Sequence, residues 1–406
     1  MNLEAYARLL VTKGVNIQKD QILMITADIA TADLVRACAK EAFRLGAKDV
    51  IPLFADEVIT RERYMHNDAD YLTNIPAYIS SYYNDYADQG AAILTITSED
   101  PGLMKDVDAA KITARSAAMH QVCEPFYTGL DTGRNRWCIA GAPSLAWANR
   151  VFPEMSDKEA MEALWNAILH TSRADGEDPG AAWEAHRHAF EERVNRLNAM
   201  GIKELHYHTG LGTDLVIGMN PDYVFWGGGS YDRNGIYYFP NIPTEEIYTT
   251  PDFHKVNGTA VSSKPLNYGG QLIEDFWIRF ENGRAVDWDA KAGRDTLTQI
   301  IETDEGSHYL GEAALVPFDS PISNTGILFY NTLYDENAAC HLALGKGFGE
   351  CVKDGLTLSK DELKARGVND SLTHVDFMIG TKETKIDAVL ADGSTVPVFA
   401  DGNFVF

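Results

Sequence analysis

QILMITADIATADLVRACAKEAFRLGAKDVIPLFAD, residues 21–56, decides the fold. Gln21–Asp28 is a short apolar run with the length of a buried strand. Thr31–Ala47 spaces its apolar residues for a helix, with Thr31 or Asp33 to cap its start and Gly46 to end it. Asp49–Asp56 reads as the next strand. Strand, helix, strand in this order makes a parallel pair joined by a crossover. The same alternation extends outward. Leu3–Val15 has helical spacing, Ala91–Asp100 and Arg134–Pro143 read as strands, and a helix lies around Asp108–His120. This pattern predicts a parallel sheet with helices on both faces. Two long helical patterns follow, Asp157–Arg173 and Ala181–Gly201, the second stopped by its glycine.

Beyond Gly201 the texture changes to short alternating strands: ELHYHTG, DLVIGM, DFWIRFENGRAVDW and IDAVLADGSTVPVF. Glu281–Arg284 and Ala391–Ser394 hold Asn-Gly and Asp-Gly at their centres, the mark of hairpin turns. The expected architecture is therefore α/β: a three-layer domain over residues 1–201 with a parallel sheet, then a β-rich domain over 202–406. The second is expected to be a largely antiparallel, barrel-like α+β domain.

Composition narrows the function. A chain of 406 residues implies two or three domains, and 45% apolar with 23% charged residues is ordinary for a folded protein. With 35 basic and 59 acidic residues the formal charge is −24. Such a surface repels phosphate backbones and anionic lipid, so nucleic acid and membrane are not expected partners. No apolar run approaches a membrane span. MNLEAYARLL lacks the basic start and apolar stretch of a secretory signal. The five cysteines form no C-x-x-C pair, and their odd number argues against a disulfide framework; buried thiols in a reducing cytoplasm are expected. No G-x-G-x-x-G follows a strand and no Walker motif is present. TGLGTD (Thr209–Asp214) reads as a hairpin turn and GGGS (Gly227–Ser230) as a loop.

Four segments could carry chemistry. In FPNIPTEEIYTTP (Phe239–Pro251), Glu246, Tyr248 and Thr250 share one strand face, and Glu245 turns to the other. A solvated acid pair is the competing reading. In LGEAALVPF (Leu310–Phe318), Glu312 sits on an apolar face, where a carboxylate must be paired, protonated or bound to metal. In YDENAACHLALGKGF (Tyr334–Phe348), Asn337 is read as capping a short helix that stops at Gly345. Glu336 then lies just before that helix and His341 in its second turn. In LTHVDFMIGT (Leu372–Thr381), His374 and Asp376 alternate onto one face. A core histidine or a local His–Asp hydrogen bond would explain the last two as well. Taken together, four carboxylates and two imidazoles, without thiolate, suit Zn²⁺, Co²⁺ or Mn²⁺. Six groups exceed what one four-coordinate ion needs, which points to a pair of ions with a bridging carboxylate.

These segments, with RWCIAGAPSLAWA (Arg136–Ala148), resemble the thermophilic-type metallo-aminopeptidases, the family of aminopeptidase T and aminopeptidase S. The resemblance runs through most of the chain, carried by PNIPTEE, GEAALV, DENAACHLALG and THVDF. It implies a dinuclear, dimeric, cytoplasmic aminopeptidase that hydrolyses N-terminal residues from peptides with a metal-activated water. It also implies two divalent ions per chain, held by Glu246, Glu312, Glu336, His341, His374 and Asp376, with Glu312 chosen as the bridge. The sequence departs from the family at one point: LGKGF places Phe348 where the family carries Tyr, and a phenyl ring cannot donate a hydrogen bond to an oxyanion. Tyr330 or Tyr334 could supply that phenol. Two alternatives follow: a member with altered or lost peptidase activity, or a dinuclear hydrolase of phosphoesters. The second should bring positive charge to its motifs, which hold only Lys346.

Overall fold

A computed structural model describes residues 3–406. The chain divides into two compact units: 1–185 with 229–243, and 186–228 with 244–406. The expected boundary at residue 201 lies just past the end of the long helix Pro179–Ala199.

The first unit carries a five-stranded parallel sheet. Its order is Asn241–Ile242, Trp137–Gly141, Ala92–Thr97, Ile22–Asp28, Asp49–Ala55. The helix Ala32–Arg44 makes the crossover read from the opening segment, and Gly46 follows it at φ +90°, a conformation that favours glycine. The edge strand Asn241–Ile242 comes from past residue 201, so the sheet recruits chain that the sequence reading gave to the second half. Helices Glu57–His66 and Ala77–Asp88 were not read from the sequence. The second is crowded with Tyr, Asn and Asp, and the first carries Val, Ile and Thr, all of modest helix propensity. A buried ion pair between Arg136 and Asp232 closes this unit; both side chains are almost wholly covered. The Arg136 Nε also donates to the Val15 carbonyl at 3.0 Å.

The second unit is mostly antiparallel. A nine-stranded sheet runs Leu266–Tyr268, Gln271–Glu281, Pro251–Val261, Asp214–Met219, Ile202–His208, Lys385–Leu390, Thr395–Ala400, Asn403–Phe404, with Arg284–Ala292 also paired to Gln271–Glu281. The turn at Asn282 and Gly283 has φ of 50° and 87°, both left-handed, as the Asn-Gly reading requires. Among the described residues no ladder joins the first of these strands to the last.

A second sheet of five strands matters most. Its order is His374–Met378, His341–Gly345, Leu310–Leu315, Ile247–Thr249, Trp226–Gly227. Here the structure corrects one reading: His341–Gly345 is a strand, preceded by the short helix Thr332–Asp335 and the 3₁₀ turn Glu336–Ala338. HLALG is five residues of helix-compatible sequence, too short for periodicity to separate helix from buried strand. Being central in its sheet and buried along its whole length, it takes the strand form.

Candidate metal centre

Strand alternation splits the five-stranded sheet into two chemically opposite faces. Ile247, Ala313, Leu315, Leu342, Leu344, Val375 and Phe377 point one way and join a single buried apolar cluster. The other face carries the polar residues, and the register sets them in rows. One row runs Trp226, Tyr248, Ala314, His341, Met378. The next runs Glu312, Ala343, Asp376, and a third pairs Gly345 with His374. Directly paired residues share a face. The residues between the ligand candidates are Ala314, Ala343 and Gly345, so little side-chain bulk separates the polar groups.

Those groups converge. His341 Nε2 lies 3.2 Å from Glu246 Oε2. His374 Nε2 lies 3.0 Å from Glu312 Oε2 and 3.2 Å from Asp376 Oδ1. The ligand atoms fall into two groups of three: Glu246, Glu312, His341, and Glu312, His374, Asp376. Within each group all atoms lie within 4.8 Å of one another, and Glu312 belongs to both. Glu336 joins neither group, but it lies close enough for its carboxyl to feel the charges of Asp376, Glu246, His341 and Glu312.

Both imidazoles are oriented from behind. His374 Nδ1 sits 2.8 Å from the Lys346 carbonyl, and His341 Nδ1 sits 3.2 Å from the Ala339 carbonyl. A carbonyl only accepts, so each Nδ1 carries a hydrogen and each Nε2 faces the carboxylates. The Lys346 carbonyl is itself fixed by its loop: the Phe348 N–H donates to Thr250 Oγ1 at 2.8 Å. Gly345, at φ +106°, lets this loop pass close; a Cβ there would meet the Thr373 carbonyl at 2.1 Å. Asn337, read from sequence as a helix cap, does other work. Its side-chain oxygen accepts the Glu245 N–H at 2.7 Å and its amide donates to the Leu333 carbonyl at 2.9 Å. It therefore ties the Glu246 segment to the turn that carries Glu336.

Electrostatics follow from crowding negative charge out of water. Burial, then Asp376 and Glu246, raises Glu312 to about 7 against the pull of His374. Glu336 is raised well above the ordinary carboxyl value by burial, then by Asp376 and Glu246. Burial alone would lower His341, but Glu246, Glu312 and Asp376 outweigh it and lift the imidazole to about 10. His374 rises in the same way, burial being outweighed by Asp376 and Glu312. Asp376 alone is lowered, because the histidines outweigh its burial.

Sequence reading missed the neighbours. His186, on the long helix Pro179–Ala199, has its side chain largely covered, with Nε2 2.8 Å from the Thr244 carbonyl and 3.7 Å from Glu245 Oε2. Glu245 and Glu246 precede the strand Ile247–Thr249 and have different partners, His186 and His341; Glu245 is buried and its N–H donates to Asn337. Tyr334, one of the phenols considered in place of the missing Tyr, stacks on Phe329 at 4.8 Å in the buried interior. Tyr248 is the phenol whose ring meets Phe348, with centroids 5.5 Å apart.

A metalloprotease is the class that such a fold and donor set suggest, and comparison with known proteins bears it out. Residues 1–404 match the thermophilic metalloprotease (M29) family. Aminopeptidase AmpS of Bacillus subtilis is 41% identical over 404 residues, covering all of this chain and 98% of that protein. Aminopeptidase 2 of Geobacillus stearothermophilus is 42% identical with the same coverage. The solved structure of wild-type AmpT from Thermus thermophilus superposes with a TM-score of 0.93 at 36% identity, over 100% of this chain and 99% of that one. The chain belongs to the thermophilic metalloprotease (M29) family, and the metallo-aminopeptidase reading of the sequence stands.

Proposed function

We propose that this enzyme removes N-terminal residues from peptides at a centre of two divalent cations held by Glu246, Glu312, Glu336, His341, His374 and Asp376. The observation that carries this reading is the pair of three-residue groups sharing Glu312. One carboxylate common to two ligand sets is what a bridged pair of ions requires. The donor chemistry fits: carboxylates and imidazoles, with each imidazole's far nitrogen already committed to a carbonyl. The charge fits too. Four carboxylates beside two neutral imidazoles are balanced by two divalent ions. With protons alone, Glu312, Glu336, His341 and His374 are all pushed toward their protonated forms.

When bound, such ions supply a nucleophile from water at neutral pH and polarise the scissile carbonyl. The chain's own part is positioning. The apolar face behind the sheet locks the register that spaces the carboxylates. The carbonyls of Lys346 and Ala339 hold the imidazole planes. A phosphoester reading is not favoured: the motif segments offer only Lys346, whose side chain is exposed. Among the described residues no helix is long and apolar enough to cross a membrane. Five free cysteines, all buried, accord with a cytoplasmic protein. The homodimer is inferred from the family resemblance alone.

The test is a paired measurement: strip the protein with chelator, count ions on re-addition of Zn²⁺, Co²⁺ or Mn²⁺, and assay aminoacyl arylamides in each state. Two ions per chain with metal-dependent cleavage is the expected result. One ion, or cleavage that survives complete stripping, overturns the dinuclear reading.

A further inference from the structure

Resting on that aminopeptidase reading, we propose that the Tyr248 hydroxyl donates the hydrogen bond that stabilises the scissile carbonyl oxygen as it gains negative charge, in place of the phenol that Phe348 cannot provide. The six ligand candidates are carboxylates and imidazoles turned toward one another, so they offer a developing oxyanion no neutral O–H donor. The row of the sheet that crosses the site contains two other N–H donors. Trp226 has its indole N–H committed to the Glu350 carbonyl at 2.7 Å, and His341 has its Nδ1 committed to the Ala339 carbonyl. Tyr248 is the remaining side-chain donor of that row, and it is registered opposite Ala314, one residue short of His341 across the sheet. A methyl group at Ala314 leaves the phenol room to lie over the sheet.

Ring packing fixes where the phenol stands. Tyr248 meets Phe348 edge-on at 5.5 Å, and Phe348 in turn lies 4.9 Å from the His374 ring. Tyr248 and His374 thus flank one phenyl ring, which walls the site between them. Thr250, two residues along from Tyr248, receives the Phe348 N–H, so the loop bearing the phenyl and the strand bearing the phenol are bonded to each other. Exchanging the hydroxyl between these touching rings would move the donor a short way along the same wall.

The experiment compares wild type, Tyr248→Phe, and the exchange variant Tyr248→Phe/Phe348→Tyr, each loaded with Zn²⁺. Ion count, kcat and KM on leucyl arylamide, and calorimetric affinity for a phosphinic dipeptide analogue are measured for each. Its tetrahedral anionic oxygen mimics the developing charge. The expected result for Tyr248→Phe is unchanged ion count and KM, with kcat and analogue affinity both lower by about 100-fold, the loss of one oxyanion donor. The exchange variant recovers much of both. Tyr248→Phe with kcat and analogue affinity within about threefold of wild type overturns the proposal and leaves the aminopeptidase standing. Loss of ions in Tyr248→Phe also overturns it, showing a structural role. A wild type that binds two ions and cleaves no arylamide overturns the parent reading and this one together.

Discussion

Loading the stripped protein with two equivalents of Zn²⁺ at pH 7 should release about two protons or more. His341 holds its proton up to about pH 10. His374 is raised well above the usual imidazole value, burial notwithstanding, by Asp376 and Glu312, and so carries another. Glu336 is shifted toward its protonated form in the same direction, by burial and by Asp376. Glu312, raised by burial to about 7, adds a fraction, while Asp376 is already ionised. Cations bind the deprotonated groups, so these protons must leave. Each proton displaced strengthens binding about tenfold per pH unit, roughly 1.4 kcal/mol. For the pair of ions together the two imidazole protons make the gain roughly 3 kcal/mol per unit between about pH 6 and 8. Titration calorimetry at one pH in two buffers of different ionisation enthalpy counts the protons directly. Release of fewer than one proton, or affinity flat across that range, would falsify the assignment of these groups as ligands.

The metal-free protein should respond to pH in the opposite sense. A group raised in the folded state stabilises fully below its unfolded value, and that contribution is lost as pH climbs through the folded value. For Glu312 the loss runs from about 4.5 to about 7, and for His341 from 6.5 to about 10. Asp376, being lowered, has its window below 3.8. Stripped protein should melt at a lower temperature near pH 8.5 than near pH 5.5, while loaded protein should not; equal slopes in both states would count against the reasoning. Arg136→Ala leaves Asp232 buried without its partner and should cost about 3–5 kcal/mol in urea unfolding. A loss under about 1 kcal/mol would show the pair to be solvated. Gly345→Ala places a Cβ 2.1 Å from the Thr373 carbonyl at φ +106° and should cost about 3 kcal/mol or more, with reduced ion retention on dialysis. Asn337→Ala removes the acceptor that Asn337 Oδ1 offers the buried Glu245 N–H and should cost about 1–3 kcal/mol; a neutral result would mean that water replaces the amide.

How much of this was legible in the sequence depended on the range of the signal. The strands at Ile22, Asp49, Ala92 and Trp137 and the helix Ala32–Arg44 were readable because apolar run length and helical spacing are local. So were the faces of Glu312 and of His374 with Asp376, which strand alternation alone decides. His341 was placed in a helix because five buried residues give periodicity nothing to work on. The edge strand Asn241–Ile242 was missed because its partner, Trp137–Gly141, lies far away in sequence. His186 carries no local signal because its helix is polar on most sides, and only folding shows Thr244 and Glu245 against it. What no single segment contained was register. That Ala314 lies between Tyr248 and His341, and Ala343 between Glu312 and Asp376, is a property of ladders.

The ladder arrangement also sets when the centre can exist during synthesis. Glu246, Glu312, His341 and Asp376 sit on or beside four different strands, and each three-residue group needs side chains from more than one of them. The strand bearing His374 and Asp376 leaves the ribosome last of the four, followed only by the hairpin strands that complete the nine-stranded sheet. A nascent chain halted before Leu372 would hold Glu246, Glu312 and His341 but lack two of the three candidate ligands of the second group. On the proposed ligand set, completion of both groups is then a late event that awaits the strand His374–Met378.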